Sequence, residues 1–181
     1  IIAALAWLTR LSGHSLSHPV FPAALALAFL TEAVTNTLVF SNINGVLLLA
    51  LVAFIALLMS RRDIAAGIVL GLAILVKPMF APLVVLPALQ LRWRSLVGAI
   101  AVPVLMNVIA WPLTPGASDY IDVVVPYLGI TRDYANSSLA GFAVYFGMPG
   151  WAHTLLFVLA AAAVAVALLG LARWRISDEW L

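Results

Sequence analysis

Long apolar runs separated by closely spaced arginines are the feature that most constrains how this chain folds. The arginines fall in the segments Arg61-Arg62, Arg92-Trp93-Arg94 and Arg173-Trp174-Arg175. Of the 181 residues, 65% are hydrophobic and 9% are charged, whereas a soluble domain carries about 25% charged residues. Because so few charges cannot cover a water-exposed surface, the pattern indicates an integral membrane protein, and uninterrupted apolar runs in a membrane are helices.

The apolar runs define the predicted helices, since a helix that crosses a bilayer needs roughly 20 predominantly apolar residues. They cover residues 1–9, 16–32, 45–60, 64–76, 79–91, 95–111 and 151–172. The predicted fold class is therefore all-α, a polytopic transmembrane helix bundle forming a single domain over residues 1–181. We expect the chain to be an interior piece of a longer polytopic protein, because it begins inside an apolar helix.

The arginines also predict the orientation of the chain. Under the positive-inside rule they lie in the cytoplasm, and Arg10 falls on the same side. Segments 32–44 and 112–150 are then external, and the second is far longer than the usual connection of about 4 to 6 residues. Such a loop is either a lid over a substrate or a disordered insertion, and its apolar islands favour the lid. We expect a multi-pass protein of the plasma membrane whose active face is extracytoplasmic.

The sequence of residues 64–91 predicts a broken, re-entrant helix pair. One continuous helix over this stretch would place Arg61-Arg62 and the next arginines on opposite sides of the membrane. A break at Lys77-Pro78 returns both to the cytoplasm, and Pro78 disfavours helical backbone at the residue before it. Each arm is then about 20 Å long, which is short for a full span. Non-helical backbone at that depth needs protein or a water-filled cavity around it, so we expect Lys77 at the floor of a cavity open to the outside.

Two basic residues lie outside the predicted cytoplasmic turns. Lys77 falls within an apolar stretch and Arg132 in the long external loop. Charge placed in a membrane is costly and marks function by default, and both cations suit a lipid phosphate. The plain alternatives are a lysine that snorkels to the interface and an Arg132–Asp133 pair that rigidifies a turn.

Other polar residues accompany these cations on the external side. Glu32 is a weaker candidate for a general base or for an acceptor of sugar hydroxyls, and its alternative is a carboxylate solvated at the interface. The predicted substrate pocket contains Asn36, Asn42, Asn44, Asp133, Tyr134 and Asn136. At least one of Asn42 and Asn44 is better explained as a cap for the helix that starts near Gly45. The spacing of the histidines and the lack of cysteine predict no metal site, and the few charges indicate no nucleic-acid partner.

Three blocks of the sequence resemble one known family. They are TEAVTNTLVFSNINGVLLL, GLAILVKP leading to RWRSLV, and TRDYANSSLAGFAVYFGMP. In this order they resemble the actinobacterial α-(1→3)-arabinofuranosyltransferases, which branch the arabinan of cell-wall arabinogalactan and lipoarabinomannan. Those enzymes belong to the GT-C superfamily of polytopic glycosyltransferases that use polyprenyl-phosphate sugars. The first and third blocks are specific, whereas GLAILVKP is generic to several lipid-linked-sugar transferases.

The resemblance implies transfer of arabinofuranose from decaprenyl-phosphate-arabinofuranose to an arabinan acceptor, without a metal or another cofactor. It also implies that the acidic catalytic motif lies upstream of Ile1, so this chain is expected to be inactive alone and its catalytic base is unassigned. Lys77 matches the lysine of the family's LKP element, which implies that it binds the donor phosphate. Arg132 and Asp133 match the loop block.

Three other functions remain open from the sequence. A mannosyltransferase that uses polyprenyl-phosphate mannose fits the generic block. A transporter of lipid-linked sugars fits broken helices with buried charge, although polar residues concentrated on the outer side favour chemistry at the surface. A purely structural membrane subunit predicts that Lys77 and Arg132 tolerate apolar replacement.

Overall fold

The computed structural model describes residues 1–131 and 138–174, and within these ranges the secondary structure is helical, with no strand. The all-α class predicted from the apolar runs is confirmed. The chain divides into two compact units, one over residues 1–107 and one that begins at residue 108. The predicted single domain over the whole chain stays a prediction.

The first unit contains seven α-helices and one 3₁₀ segment. The helices are α1 (Ile2–Leu11), α2 (Val20–Phe29), α3 (Glu32–Val39), α4 (Asn44–Met59), α5 (Asp63–Val76), α6 (Val85–Leu89) and α7 (Trp93–Ala110), and the 3₁₀ segment is Pro78–Val84. Helix α7 extends three residues into the second unit. That unit also contains the helices α8 (Val125–Leu128), α9 (Leu139–Tyr145) and α10 (Gly150–Trp174). A 3₁₀ turn at Trp111–Leu113 and a π-turn at Tyr120–Val124 precede α8.

Among the described residues, two helices are long and apolar enough to cross a bilayer. These segments, Trp93–Leu113 and Gly150–Gly170, have mean hydropathies of 2.0 and 2.4. Helices α2 and α3 form a third span if the pair is counted as one segment, although a 66° bend separates them. Almost none of the two long segments is buried within the part of the chain that the structure describes. Helices that are apolar on every side and unburied belong in lipid or against other membrane helices, so the chain is a membrane protein.

The core of the first unit lies where α4, α5 and α7 meet. Its fully buried side chains come from all three helices: Phe54, Leu58, Ala66, Leu70 and Ala99. Helix α5 approaches α7 closely through two glycines one turn apart. A Cβ added at Gly67 would collide with the carbonyl oxygen of Ser95, and one added at Gly71 would lie 2.8 Å from the Cβ of Val102. Small residues at four-residue spacing are how membrane helices bring their backbones together.

The segment from α5 to α6 leaves the end of the bundle marked by Arg61-Arg62 and returns to the same end at Arg92. At its base, Arg92 is buried, donates from Nη1 to the carbonyl oxygen of Leu58, and lies 3.5 Å from Oδ1 of Asp63. The first residue of α5 and the residue just before α7 are therefore neighbours. At the other end, Lys77 leaves the helix with φ −139° and ψ 103°, and Pro78 opens the 3₁₀ segment. This is the broken pair expected from the sequence.

The structure corrects the prediction for residues 16–44. Helix α2 ends at Phe29, Thr31 is extended, and Glu32 begins a new helix instead of ending the previous one. The residues after it form α3 where a loop was expected. The hydroxyls of Thr35 and Thr37 donate to carbonyls four residues earlier, so polar residues that suggested a loop are satisfied inside a helix. A carboxylate in the first turn also suits the helix dipole.

Candidate functional site

Lys77 meets Asn44 where the broken pair turns back. Its Nζ donates a hydrogen bond to Oδ1 of Asn44 at 2.5 Å, and the two residues are 33 positions apart in the sequence. Lys77 is half-buried and follows the last residue of α5 in extended backbone, and Asn44 is the first residue of α4. Two residues that the sequence proposed separately are thus brought together.

Asn44 continues the contact to α3. Its Nδ2 donates to Oγ1 of Thr37 at 3.3 Å, and Oγ1 of Thr37 donates to the carbonyl oxygen of Ala33 at 2.7 Å. We call Lys77, Asn44 and Thr37 the relay. Thr37 is buried, and sequence reasoning missed it because its role depends on the amide of Asn44 opposite it. Its place in the same polar block as Asn42 and Asn44 was the available signal.

The relay leaves the charge of Lys77 uncompensated. Its acceptor is a neutral amide, and the described residues place no carboxylate within ion-pair distance of Nζ. An ammonium group has three donors, so two remain for a further acceptor. The arrangement is able to hold an anion.

Asn42, Glu32 and Asn36 lie near the relay in sequence but outside it. Oδ1 of Asn42 accepts the backbone N–H of Asn44 at 3.3 Å, which satisfies one of the free N–H groups at the start of α4. Nδ2 of Asn36 donates to Oε1 of Glu32 at 3.2 Å, on an exposed side of α3. Among the described residues, neither Glu32 nor Asn36 bonds to Lys77.

Four predicted site residues lie outside the described residues: Arg132, Asp133, Tyr134 and Asn136. The role of Arg132 in binding the donor phosphate, and the place of the other three in the substrate pocket, stay predictions. Among the described residues no group of three or more histidine, aspartate or glutamate side chains is placed to hold a metal ion.

An apolar groove adjoins the relay. It encloses about 420 Å³ between α1, α4 and α5, and every residue that lines it is apolar. The lining includes Trp7 of α1, Ala50 of α4, Val76 of α5, and Ile43, which directly precedes α4. Val76 directly precedes Lys77, and Ile43 directly precedes Asn44. The groove therefore leads away from the ammonium group between the helices, and it is called the groove below.

A second, larger cavity of about 690 Å³ lies between α1, α3 and the start of α4. Thr37, Ser41 and Asn42 supply its polar lining. Lys77 was expected at the floor of a cavity, yet it lines neither of these two spaces. Its sequence neighbour Val76 lines the groove, and its amine donates to Asn44.

Comparison with known proteins gives consistent matches. The family model for Glycosyltransferase family 87 matches residues 1–181. A curated alpha-(1->3)-arabinofuranosyltransferase of Corynebacterium glutamicum is 51% identical over 180 residues, which are 99% of this chain and 43% of that protein.

Proteins with the same name from two mycobacteria are 42% identical. The one from Mycolicibacterium smegmatis matches 83% of this chain and 36% of its own length, and the one from Mycobacterium tuberculosis H37Rv matches 90% and 38%. The chain thus spans less than half the length of these relatives. No solved structure matches it.

Proposed function

The chain belongs to glycosyltransferase family 87, and from that premise we propose that the protein transfers arabinofuranose from decaprenyl-phosphate-arabinofuranose to a cell-wall arabinan acceptor, forming an α-(1→3) branch. The name of the curated relatives supports the sugar and the linkage. Within the chain, Lys77 binds the donor phosphate, and Arg132 is the second cation of that site.

The observation that carries the proposal is a lone ammonium group at the end of an apolar groove. A polyprenyl phosphate has an anionic head and a long hydrocarbon tail, and both parts need a complementary surface. Lys77 offers a positive charge that no carboxylate of residues 1–131 or 138–174 pairs with, and the groove beside it has an apolar lining. A soluble nucleotide sugar would need a polar pocket, so this pairing favours a lipid-borne donor.

The chemistry of the transfer explains why a cation is needed there. The acceptor hydroxyl oxygen bonds to the anomeric carbon of arabinofuranose, the bond from that carbon to the phosphate oxygen breaks, and decaprenyl phosphate departs with the bonding electrons. Negative charge grows on the phosphate while the sugar gains oxocarbenium character. A fixed ammonium group stabilises that charge more in the transition state than in the ground state.

The proton of the acceptor hydroxyl passes to a carboxylate acting as general base. We assign this role to the acidic motif expected upstream of Ile1. Glu32 is the weaker local candidate, since Oε1 of its carboxylate accepts from Asn36 and the side chain is exposed on α3.

The extracytoplasmic face is supported by the two ends of α5. Arg92 and Asp63 mark one end, while Lys77 follows the other end after 14 residues, or about 21 Å of helix. Arginine-rich turns stay in the cytoplasm. Lys77 then faces the outer leaflet of the plasma membrane.

The test is Lys77→Met in the full-length protein reconstituted in membranes, with transfer of labelled arabinose and the Kd for decaprenyl phosphate as readouts. We expect affinity to fall at least about tenfold, the size of a lost charge-assisted hydrogen bond, and transfer to fall further. Arg94→Gln removes the same charge from an exposed position and is the matched control. Unchanged affinity and turnover in Lys77→Met would refute the role of Lys77.

A parallel assay with decaprenyl-phosphate-mannose identifies the sugar. Transfer of arabinose alone is expected, and transfer of mannose alone would replace the proposal with the mannosyltransferase alternative. Supplying the donor only outside the vesicle separates transfer from transport, because a transporter forms no glycan product.

A further inference from the structure

We propose that Asn44 is a positioning residue that presents Lys77 to the donor phosphate, with Thr37 setting the orientation of its amide. The inference rests on the proposed role of Lys77. Three successive hydrogen bonds support it: Lys77 Nζ to Asn44 Oδ1 at 2.5 Å, Asn44 Nδ2 to Thr37 Oγ1 at 3.3 Å, and Thr37 Oγ1 to Ala33 O at 2.7 Å.

The direction of every bond in this relay is determined by chemistry. An ammonium group only donates, so the atom of Asn44 that faces Lys77 must be the carbonyl oxygen. The amide nitrogen then faces Thr37. The hydroxyl of Thr37 has one proton, which goes to the carbonyl of Ala33, and its lone pair accepts from Asn44. A flipped amide would direct donors at Nζ, so Thr37 keeps Asn44 in the one orientation that holds Lys77.

A neutral acceptor suits a lysine that must bind a phosphate. Without an acceptor, the flexible side chain extends towards the nearest water and loses its position beside the groove. With a carboxylate as acceptor, the ammonium charge is neutralised and the phosphate has to compete for it. The amide of Asn44 holds Nζ through one hydrogen bond and leaves two donors and the full charge for the ligand.

The relay also connects three separate elements. Thr37 lies on α3, Asn44 starts α4, and Lys77 follows α5. Thr37 is largely buried, and its hydroxyl is the acceptor that the amide nitrogen of Asn44 finds among the described residues. The position of the amine consequently depends on how α3 is placed relative to the start of α4.

The first experiment compares Asn44→Asp and Thr37→Val in the full-length protein, with the Kd for decaprenyl phosphate as the readout. Asn44→Asp keeps the shape and puts a carboxylate in the first turn of α4, where the helix dipole favours it. We expect its affinity to fall at least about tenfold, because the carboxylate pairs with Lys77. Thr37→Val keeps the shape without the hydroxyl and should weaken affinity about fivefold, while Thr37→Ser restores it.

The second experiment repeats Thr37→Val in the Lys77→Met background, because Asn44→Asp would there place an unpaired carboxylate beside the phosphate and repel it. If Thr37 acts through the amine, its substitution should there change the Kd by less than about twofold, since the interaction it supports is gone. A role confined to folding predicts the same loss in both backgrounds. Equal losses, or wild-type affinity in Asn44→Asp, would overturn the inference.

The failure of this inference can be told from the failure of the proposed function. If Lys77→Met weakens binding and the Asn44 and Thr37 variants do not, only the positioning role is wrong. If Lys77→Met itself binds decaprenyl phosphate as the wild type does, the role of Lys77 and the relay that depends on it are both overturned.

Discussion

Arg92 lies beside Asp63, with 3.5 Å between Nη1 and Oδ1, and the same Nη1 donates to the carbonyl of Leu58. One buried guanidinium thus joins the end of α4, the start of α5 and the turn before α7. The contact holds together the two ends of the segment from Asp63 to Arg92, which we call the out-and-back segment. Lys77 lies at the turn of this segment.

Replacing Arg92 should destabilise the first unit. Arg92→Leu leaves the carbonyl of Leu58 and the carboxylate of Asp63 without this partner, and breaking a buried charged contact costs about 3 kcal/mol. Thermal unfolding of the full-length protein in detergent measures the loss. The exposed Arg94→Gln should unfold like the wild type, and an equal loss in that control would contradict a specific role for Arg92.

Enlarging Gly67 should separate α5 from α7. An added methyl group would collide with the carbonyl oxygen of Ser95, and overpacking of this kind costs about 1 to 3 kcal/mol. Gly67→Ala should therefore lower the thermal unfolding temperature. Gly170→Ala, which has open space around the new atom, is the control and should not lower it. Wild-type stability in Gly67→Ala would show that the two helices can move apart freely.

Filling the groove should discriminate against long lipids. Ala50 lines it, and a tryptophan at that position occupies space that the proposed polyprenyl chain needs. Ala50→Trp should weaken binding of decaprenyl phosphate about tenfold or more, whereas geranyl phosphate, with a short tail, should lose much less, since each buried methylene contributes about 0.8 kcal/mol.

The matched control for this experiment is Ala163→Trp, at an exposed position of α10. It adds the same bulk to an exposed face that lines neither the groove nor the relay. Equal losses for both phosphates in Ala50→Trp would mean that the lipid tail lies elsewhere.

Neutralising Glu32 should have little effect on transfer. Oε1 accepts a hydrogen bond from Asn36, and a glutamine preserves this acceptor. Glu32→Gln should therefore keep turnover within about threefold of the wild type, whereas the loss of a general base costs about a hundredfold or more. A fall of that size, measured as labelled arabinose transferred, would make Glu32 the base instead of a residue upstream.

The out-and-back segment was predictable because two strong signals agreed. Arginines mark the cytoplasmic ends of membrane helices, and Pro78 prevents the residue before it from continuing a helix. Both signals act on nearby residues, so they can be used without knowing which helices pack together. The bend between α2 and α3 was not predictable in the same way, because Thr35, Thr37 and Asn36 are polar enough to suggest a loop and become helical only by bonding within the helix.

Two residues of the candidate site could be predicted from the sequence, but the hydrogen bonds that join them could not. Lys77 and Asn44 stood out as polar groups in apolar surroundings, yet their contact joins positions 33 residues apart and depends on how α4 packs against α5. Thr37 gave no signal alone, since its role requires the amide of Asn44 opposite it. The proposed roles of Arg132 and Asp133 remain predictions.

The segment between Asp63 and Arg92 is fastened twice, by the guanidinium at its base and by the amide at its turn. Swinging it aside to admit a substrate would break both fastenings and pull α5 from the small-residue seam with α7. We therefore expect this segment to keep its place when a substrate binds, so that any opening motion occurs in other parts of the protein.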